Sequence, residues 1–338
     1  MRSQVRIKDF CFVVFSMFIL LFLFACSKKE QSDKSLSISK TSKISKVGIA
    51  YALGGKGDLT YNDASYKGIK KLQDMGIRVR EFEPATLDDY TKGLELLSLV
   101  DLQVIFCIGF LYDEPVKIIA STHKEIIYVI LDGSASEPPN VASIKFNAYE
   151  GSFLAGVVAG KITRNNKISF IGGTNIPIIN EFLEGFRDGV KMVNENIDLF
   201  ALYVGTGGTA FTDPVKGREV ALSAISRGAD VIYHAAGSSG NGVIKAAKEN
   251  NIYAIGVDVD QSHLAPNTVV TSMLKNFDIA MLEVIERIED GQNLGGQNIT
   301  LGLKEGAVLI APIVNENIKE IIGDIVVKAK NKLLKEKF

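Results

Sequence analysis

Cysteine and histidine are scarce in this chain, three of each among 338 residues, and that scarcity removes several kinds of chemistry. His123, His234 and His263 fall in different expected elements, and no HExxH, CxxC or GxSxG spacing occurs. Neither a metal centre nor a nucleophilic triad is therefore expected, and no cofactor follows from the residues. Cys11 lies inside an apolar run near the start, Cys26 directly after it, and Cys107 within the apolar segment Val104 to Ile108. One thiol in the body of the chain excludes an internal disulfide, and its apolar setting predicts a buried, inert group. An excess of charge is missing too. Taking Arg2, Arg6, Lys8 and Asp9 from the 38 basic and 39 acidic residues leaves 35 against 38, a near-neutral body with no basic patch for nucleic acid.

The apolar run from Phe10 to Ala25 follows Arg2, Arg6 and Lys8 and is short for a membrane span, which reads as a secretory signal. Its end, Leu23-Phe24-Ala25-Cys26, resembles the bacterial lipobox, in which the Cys becomes the lipidated N-terminus. The expectation is a leader and lipidation site over residues 1–26, with Cys26 acylated, and a flexible Ser- and Lys-rich tether over 27–46. Such a protein sits on a cell membrane through its N-terminal lipid, facing the periplasm or the exterior.

From Val47 onward, strand and helix patterns alternate almost without a break, predicting mostly parallel sheet covered on both faces. Strands are expected at Val47 to Ala50, Arg78 to Phe82, Val104 to Ile108, Ile126 to Leu131 and Ala142 to Phe146. Helices lie between them at Asp63 to Met75, Leu87 to Leu99 and Glu114 to Thr122. A second series follows: helix Glu150 to Ile162, strand Ile168 to Ile171, helix Ile178 to Val193, strand Phe200 to Val204 and helix Pro214 to Arg227. Asp213, Pro214 and Gly228 supply that last helix with cap, first-turn and stop chemistry. Val231 to Ala235 and Tyr253 to Val257 then flank a helix, forming a β-α-β unit. Beyond it come a strand at Val269 to Met273, a helix at Phe277 to Ile288, short runs at Ile299 to Leu303 and Val308 to Ile310, and one long helix from Asn315 to Leu334. The class is α/β, with two doubly wound, Rossmann-like lobes joined by a hinge of several crossings.

In such sheets ligands bind beyond the carboxyl ends of the strands, so residues placed there are the candidates. Tyr61 and Asn62 open a helix, Phe110 follows a strand and Asp132 closes one in the first lobe; Phe211 and Asp258 hold comparable places in the second. Rings from opposing lobes can sandwich a planar base, at roughly 1–3 kcal/mol per stack. Two carboxylates can accept from vicinal hydroxyls. Each residue also has an ordinary reading: an Asp caps a helix, a Phe packs, and His234 at the end of a buried strand bonds to backbone. Gly237, Gly240 and Gly242 of GSSGNG turn bare backbone and a helix N-terminus toward the same edge, but their GxxGxG order departs from the dinucleotide GxGxxG.

The segments GDLTYND, EGSFLAG, AFTDPVKG, HAAGSSGNGVIKAA, IGVDVDQ, VVTSMLKN and LGLKEGAV resemble, in series from about Val47 to Val308, the basic membrane lipoprotein family, which includes purine nucleoside receptors of ABC importers. The resemblance implies a type I periplasmic-binding fold with a nucleoside held between the lobes, delivery to an ABC permease, a monomer, and no catalysis. Position by position it implies that Tyr61 and Phe211 stack on the base and Asn62 contacts it. Asp132 and Asp258 then bind the ribose, Lys275 makes a polar contact and Gly237 lines the second lobe with backbone. Where the family often reads DDKSFN this chain has GDLTYN, so Tyr61 keeps the π-face and adds a hydroxyl. Lobe I is expected over 47–148 plus 276–298 and lobe II over 149–275 plus 299–338. The competing classes are a surface adhesin on the same fold, a nucleoside-acting enzyme, which would need an acid, base or metal not visible here, and a repressor, which the signal sequence disfavours.

Overall fold

The computed structural model describes residues 43–335; the leader, Cys26 and most of the tether lie outside them. The first lobe begins with β1 (Lys46–Ala50), α1 (Tyr61–Asp74), β2 (Arg78–Phe82), α2 (Asp89–Ser98), β3 (Val104–Ile108), α3 (Asp113–Ala120), β4 (Ile127–Leu131) and β5 (Val141–Phe146). The chain then crosses into α4 (Ala148–Ile162), β6 (Lys167–Gly172), α5 (Pro177–Val193), β7 (Asp198–Tyr203), α6 (Pro214–Ser226), β8 (Val231–Ala235), α7 (Ser239–Glu249), β9 (Tyr253–Asp258) and β10 (Val269–Lys275). It returns through α8 (Phe277–Glu289) and β11 (Asn298–Leu301), and crosses a third time into β12 (Val308–Ile310), α9 (Glu316–Ile322) and α10 (Ile325–Lys335).

Each lobe is a six-stranded sheet, ordered β11-β5-β4-β3-β1-β2 in the first and β12-β10-β9-β8-β6-β7 in the second. Every pairing is parallel except that of β12 with β10. The central strands β3, β4 and β8 are buried along their whole length, because helices cover both faces. One apolar core runs through the waist, from Val47 and Phe106 by way of Phe146 and Phe277 to Met273, Phe170 and Phe186; separate clusters fill the outer face of each sheet. The three crossings are stitched together by backbone bonds, Asn147 N–H to Leu301 O at 2.8 Å and Asn276 N–H to Ala307 O at 2.8 Å.

Local chemistry sets the helix ends. The Asp213 side chain accepts from Lys216 N–H at the start of α6, with Pro214 in its first turn. Gly76, at φ +85°, stops α1. Two expectations change. The run Ile299 to Leu303, placed by the sequence in lobe II, pairs over Ile299–Leu301 with β5 in the first sheet, because its residues fall in parallel register with Ile144 to Phe146. The single C-terminal helix is two: Gly323, at φ +53°, ends α9 and redirects the chain. Among the described residues no helix is long and apolar enough to cross a membrane.

Candidate functional site

The carboxyl ends of both sheets face one another, and between them lies a cavity with about 760 Å³ of space not filled by atoms, counted out to its mouth. Tyr61, Asn62, Asp132, Phe211, Gly237, Asp258 and Lys275 all line it, drawn from both lobes.

Asp132 and Asp258 occupy equivalent positions, one residue past the end of β4 and at the last residue of β9. Both take the left-handed conformation, φ +64° and +66°, which Asp tolerates better than most residues. The turn swings each carboxylate off its strand and into the cleft. The Asp132 carboxylate is spoken for on three sides: Lys275 Nζ forms a buried ion pair with it, Phe146 N–H donates at 3.3 Å, and Tyr61 Oη–H donates at 3.3 Å. Asp258 is freer. Its Oδ2 accepts from Thr60 Oγ1 at 2.8 Å and Oδ1 takes no bond from any described residue. Burial, more than any neighbour, pushes its carboxyl up to about 6; Lys275 and the Thr60 hydroxyl pull the other way.

Lys275 ends β10 in a ring of aromatic faces, its Nζ lying 4.8 Å from the Phe182 centroid, 5.4 Å from Tyr61 and 5.7 Å from Phe146. Its polar contact is thus with Asp132, which it orients. The Tyr61 ring stands edge-on to Phe277 at 5.3 Å, and its hydroxyl also reaches Leu131 O at 3.2 Å. Burial first, and the Asp132 charge second, hold that phenol well above its ordinary range. The ring found opposite Phe211 across the cleft is Phe110, with centroids 6.4 Å apart at 66°.

Asn62 is largely committed to the fold. Its Oδ1 accepts from Ala52 N–H at 2.9 Å and its Nδ2 donates to Asp58 at 3.1 Å. Asp58 itself caps α1 through the N–H groups of Thr60, Asn62 and Asp63. The GSSGNG glycines turn out to do different things. Only Gly237, φ +54°, lines the cavity; a Cβ there would stand 2.8 Å from Phe211 O. At Gly240 a Cβ would strike the His234 ring at 2.0 Å, and at Gly242 it would strike Pro214 O at 1.8 Å, so these two are needed for packing. His234 bonds to the Gln261 side chain rather than to backbone, at 2.9 Å. Cys107 is fully buried, and burial pushes its thiol far up.

Sequence reasoning did not single out Asp58, Tyr90, Ile178 or Phe182, which also line the cavity. Tyr90 Oη accepts from Leu53 N–H at 2.7 Å from the first turn of an amphipathic helix, on its buried side, where a Tyr reads as core. Asp58 could have been found as a cap preceding α1. Among the described residues no group of His, Cys, Asp and Glu is arranged to hold a metal ion.

Residues 44–337 match the Bmp family model, described as ABC transporter substrate-binding protein PnrA-like. Basic membrane protein D of Borreliella burgdorferi (strain JD1) is 36% identical over 319 residues, covering 92% of this chain and 89% of that one. The ABC transporter nucleoside-binding protein BmpA of Lactococcus lactis subsp. cremoris (strain MG1363) is 29% identical over 324 residues, 89% of this chain and 90% of that one. Among solved structures, an ABC transporter solute-binding protein from Aeropyrum pernix K1 superposes with a TM-score of 0.75 at 26% identity, covering 86% of this chain and 91% of that one.

Proposed function

Because the chain belongs to the family of PnrA-like ABC transporter substrate-binding proteins and has their type I periplasmic-binding fold, we propose that its cleft captures a purine nucleoside and delivers it to an ABC permease. The observation that carries this reading is the pair of strand-end carboxylates, one per lobe, facing a cavity that also holds rings from both lobes. Ribose hydroxyls donate to Asp258 Oδ1 and to the remaining lone pairs of Asp132. Lys275 holds Asp132 in place. The base lies against Phe211, with Tyr61 and Phe110 supplying rings from the first lobe. Asn62 has one amide hydrogen left for the base edge, and Gly237 offers bare backbone. The protein acts as a monomer and makes or breaks no bond in its cargo.

The deciding experiment is a set of melting curves with guanosine, adenosine, inosine, uridine, cytidine, free purine bases and ribose, since a ligand that binds only the folded form raises Tm by mass action. Purine nucleosides should raise it most. Equal stabilisation by ribose alone, or none by any nucleoside, would remove the reading.

The anchor belongs to the same proposal. Cys26 is the acylated residue, so Cys26→Ala should abolish metabolic palmitate labelling while leaving nucleoside binding intact. Equal labelling of both forms would end the lipoprotein assignment.

A further inference from the structure

One three-residue segment of lobe I, Asp58 to Thr60, is hydrogen-bonded to lobe II at each of its residues. Asn241 Nδ2 donates to the Asp58 carbonyl at 3.1 Å, Gln261 Nε2 donates to the Leu59 carbonyl at 3.1 Å, and Thr60 Oγ1 donates to Asp258 Oδ2 at 2.8 Å. The segment is rigid on its own. The Asp63 carboxylate accepts from Gly57 N–H at 2.7 Å and Leu59 N–H at 3.0 Å, Asp58 accepts from three N–H groups beyond it, and Leu59 is held at φ +61°.

The donor side is equally constrained. Gln261 is fully buried, and its Oε1 accepts from Val257 N–H at 3.0 Å. A peptide N–H can only donate, so that contact fixes which end of the amide is oxygen. His234 Nε2 lies 2.9 Å from the same oxygen and must therefore carry the hydrogen. Nδ1 is then the bare nitrogen; it is buried without a hydrogen-bond partner among the described residues, against the Gly240 backbone. Gln261 N–H is tied to Ser272 Oγ at 3.1 Å. The Gly256 backbone packs close beside that oxygen, since a Cβ there would come within 2.6 Å of it. Burial also pushes the imidazole down to about 4, so its neutral form persists at ordinary pH. With the oxygen held from two sides, the amide nitrogen faces Leu59 O and, at 3.4 Å, Asn241 Oδ1.

We infer that His234 is a positioning residue for lobe closure: it holds the Gln261 amide as a latch on Leu59, so that the closed form is maintained by the chain itself as well as by cargo. None of His234, Gln261 and Leu59 lines the cavity. The latch accounts for a buried His in a protein with only three, and for a glycine at 240 that clears room for its ring.

The test reads the lobe-to-lobe distance without any ligand, so its outcome is independent of what the cleft binds. Ser121→Cys on lobe I and Ser223→Cys on lobe II carry spin labels, while Cys107 is too buried to react. The otherwise native protein should show a closed population beside an open one. Gln261→Met and His234→Leu should each lower the closed-to-open ratio by roughly two- to tenfold, the equivalent of one lost hydrogen bond. His234→Gln, whose amide can replace the Nε2 hydrogen, should restore it. Asn241→Ala removes the neighbouring donor from a partly exposed site and should shift the ratio the same way; it keeps the test alive if the buried variants fail to fold, which melting curves will reveal. An unchanged distribution in the folded latch variants overturns the proposal. So does a His234→Gln protein as open as His234→Leu, because His234 would then act by packing alone.

Discussion

Lys275→Met is expected to lower folding stability by about 3–5 kcal/mol, because it leaves Asp132 in a buried position without its partner. Both side chains are only 3% exposed, so water cannot replace the lost ion pair. Urea denaturation gives the value directly. The informative comparison is the double variant Asp132→Asn/Lys275→Met. Asn keeps an acceptor for Phe146 N–H and removes the orphaned charge, so most of the stability should return. Affinity for the nucleoside should not return with it if Asp132 accepts from the sugar. A double variant that binds as well as the native protein would show that this carboxylate serves the fold alone. A single variant costing under about 1 kcal/mol would show that the pair behaves like an exposed one.

Asp258→Ala should weaken nucleoside binding by about 1.5–3 kcal/mol, one to two decades in Kd. A nucleoside lacking both the 2′ and 3′ hydroxyls should bind the native protein poorly and lose little more in the variant, because the contact is already gone. General damage to the lobe would weaken both ligands by a similar factor. The same carboxylate sets a pH dependence. Hydroxyl donation favours its charged form, and burial raises its free pKa to about 6. Affinity should therefore be level above neutrality and fall as pH drops through about 6, by up to about tenfold per unit, since binding then requires release of a proton. Titration calorimetry across that window, with Asp258→Asn alongside, checks the assignment. The Asn variant should bind weakly and without this slope; equal slopes in both proteins would place the titration elsewhere.

Much of this architecture was legible because parallel α/β folding leaves a strong imprint. Strands such as Val104–Ile108 and Ile127–Leu131 are buried on both faces and so appear as short continuous apolar runs, and the Asp213-Pro214 start and Gly76 stop mark helix ends by local chemistry. Strand ends are equally visible, which is why a search confined to the carboxyl edges reaches Asp132 and Asp258. What escaped was whatever depends on partners distant in sequence. No local pattern tells that Ile299–Leu301 pairs with a strand about 150 residues earlier, nor that Lys275 reaches Asp132 across the lobes. The helical pattern from Asn315 to Leu334 is nearly continuous, and only the left-handed Gly323 reveals the break. The two packing glycines of GSSGNG were misread for a related reason: a glycine that makes room for an imidazole looks the same in sequence as one that bares its backbone to a ligand.

Among the described residues lining the cavity, three are acids, Asp58, Asp132 and Asp258, and Lys275 is the one cation, already paired. A phosphate ester entering there would shed its water, find no free counter-charge and sit beside carboxylates, a combination that low-dielectric surroundings make severe. The proposed receptor would thus discriminate by charge before it discriminates by base, refusing nucleotides whatever their purine. Nucleic-acid debris outside the cell would become cargo only after a phosphomonoester-hydrolysing step had stripped it to the neutral nucleoside.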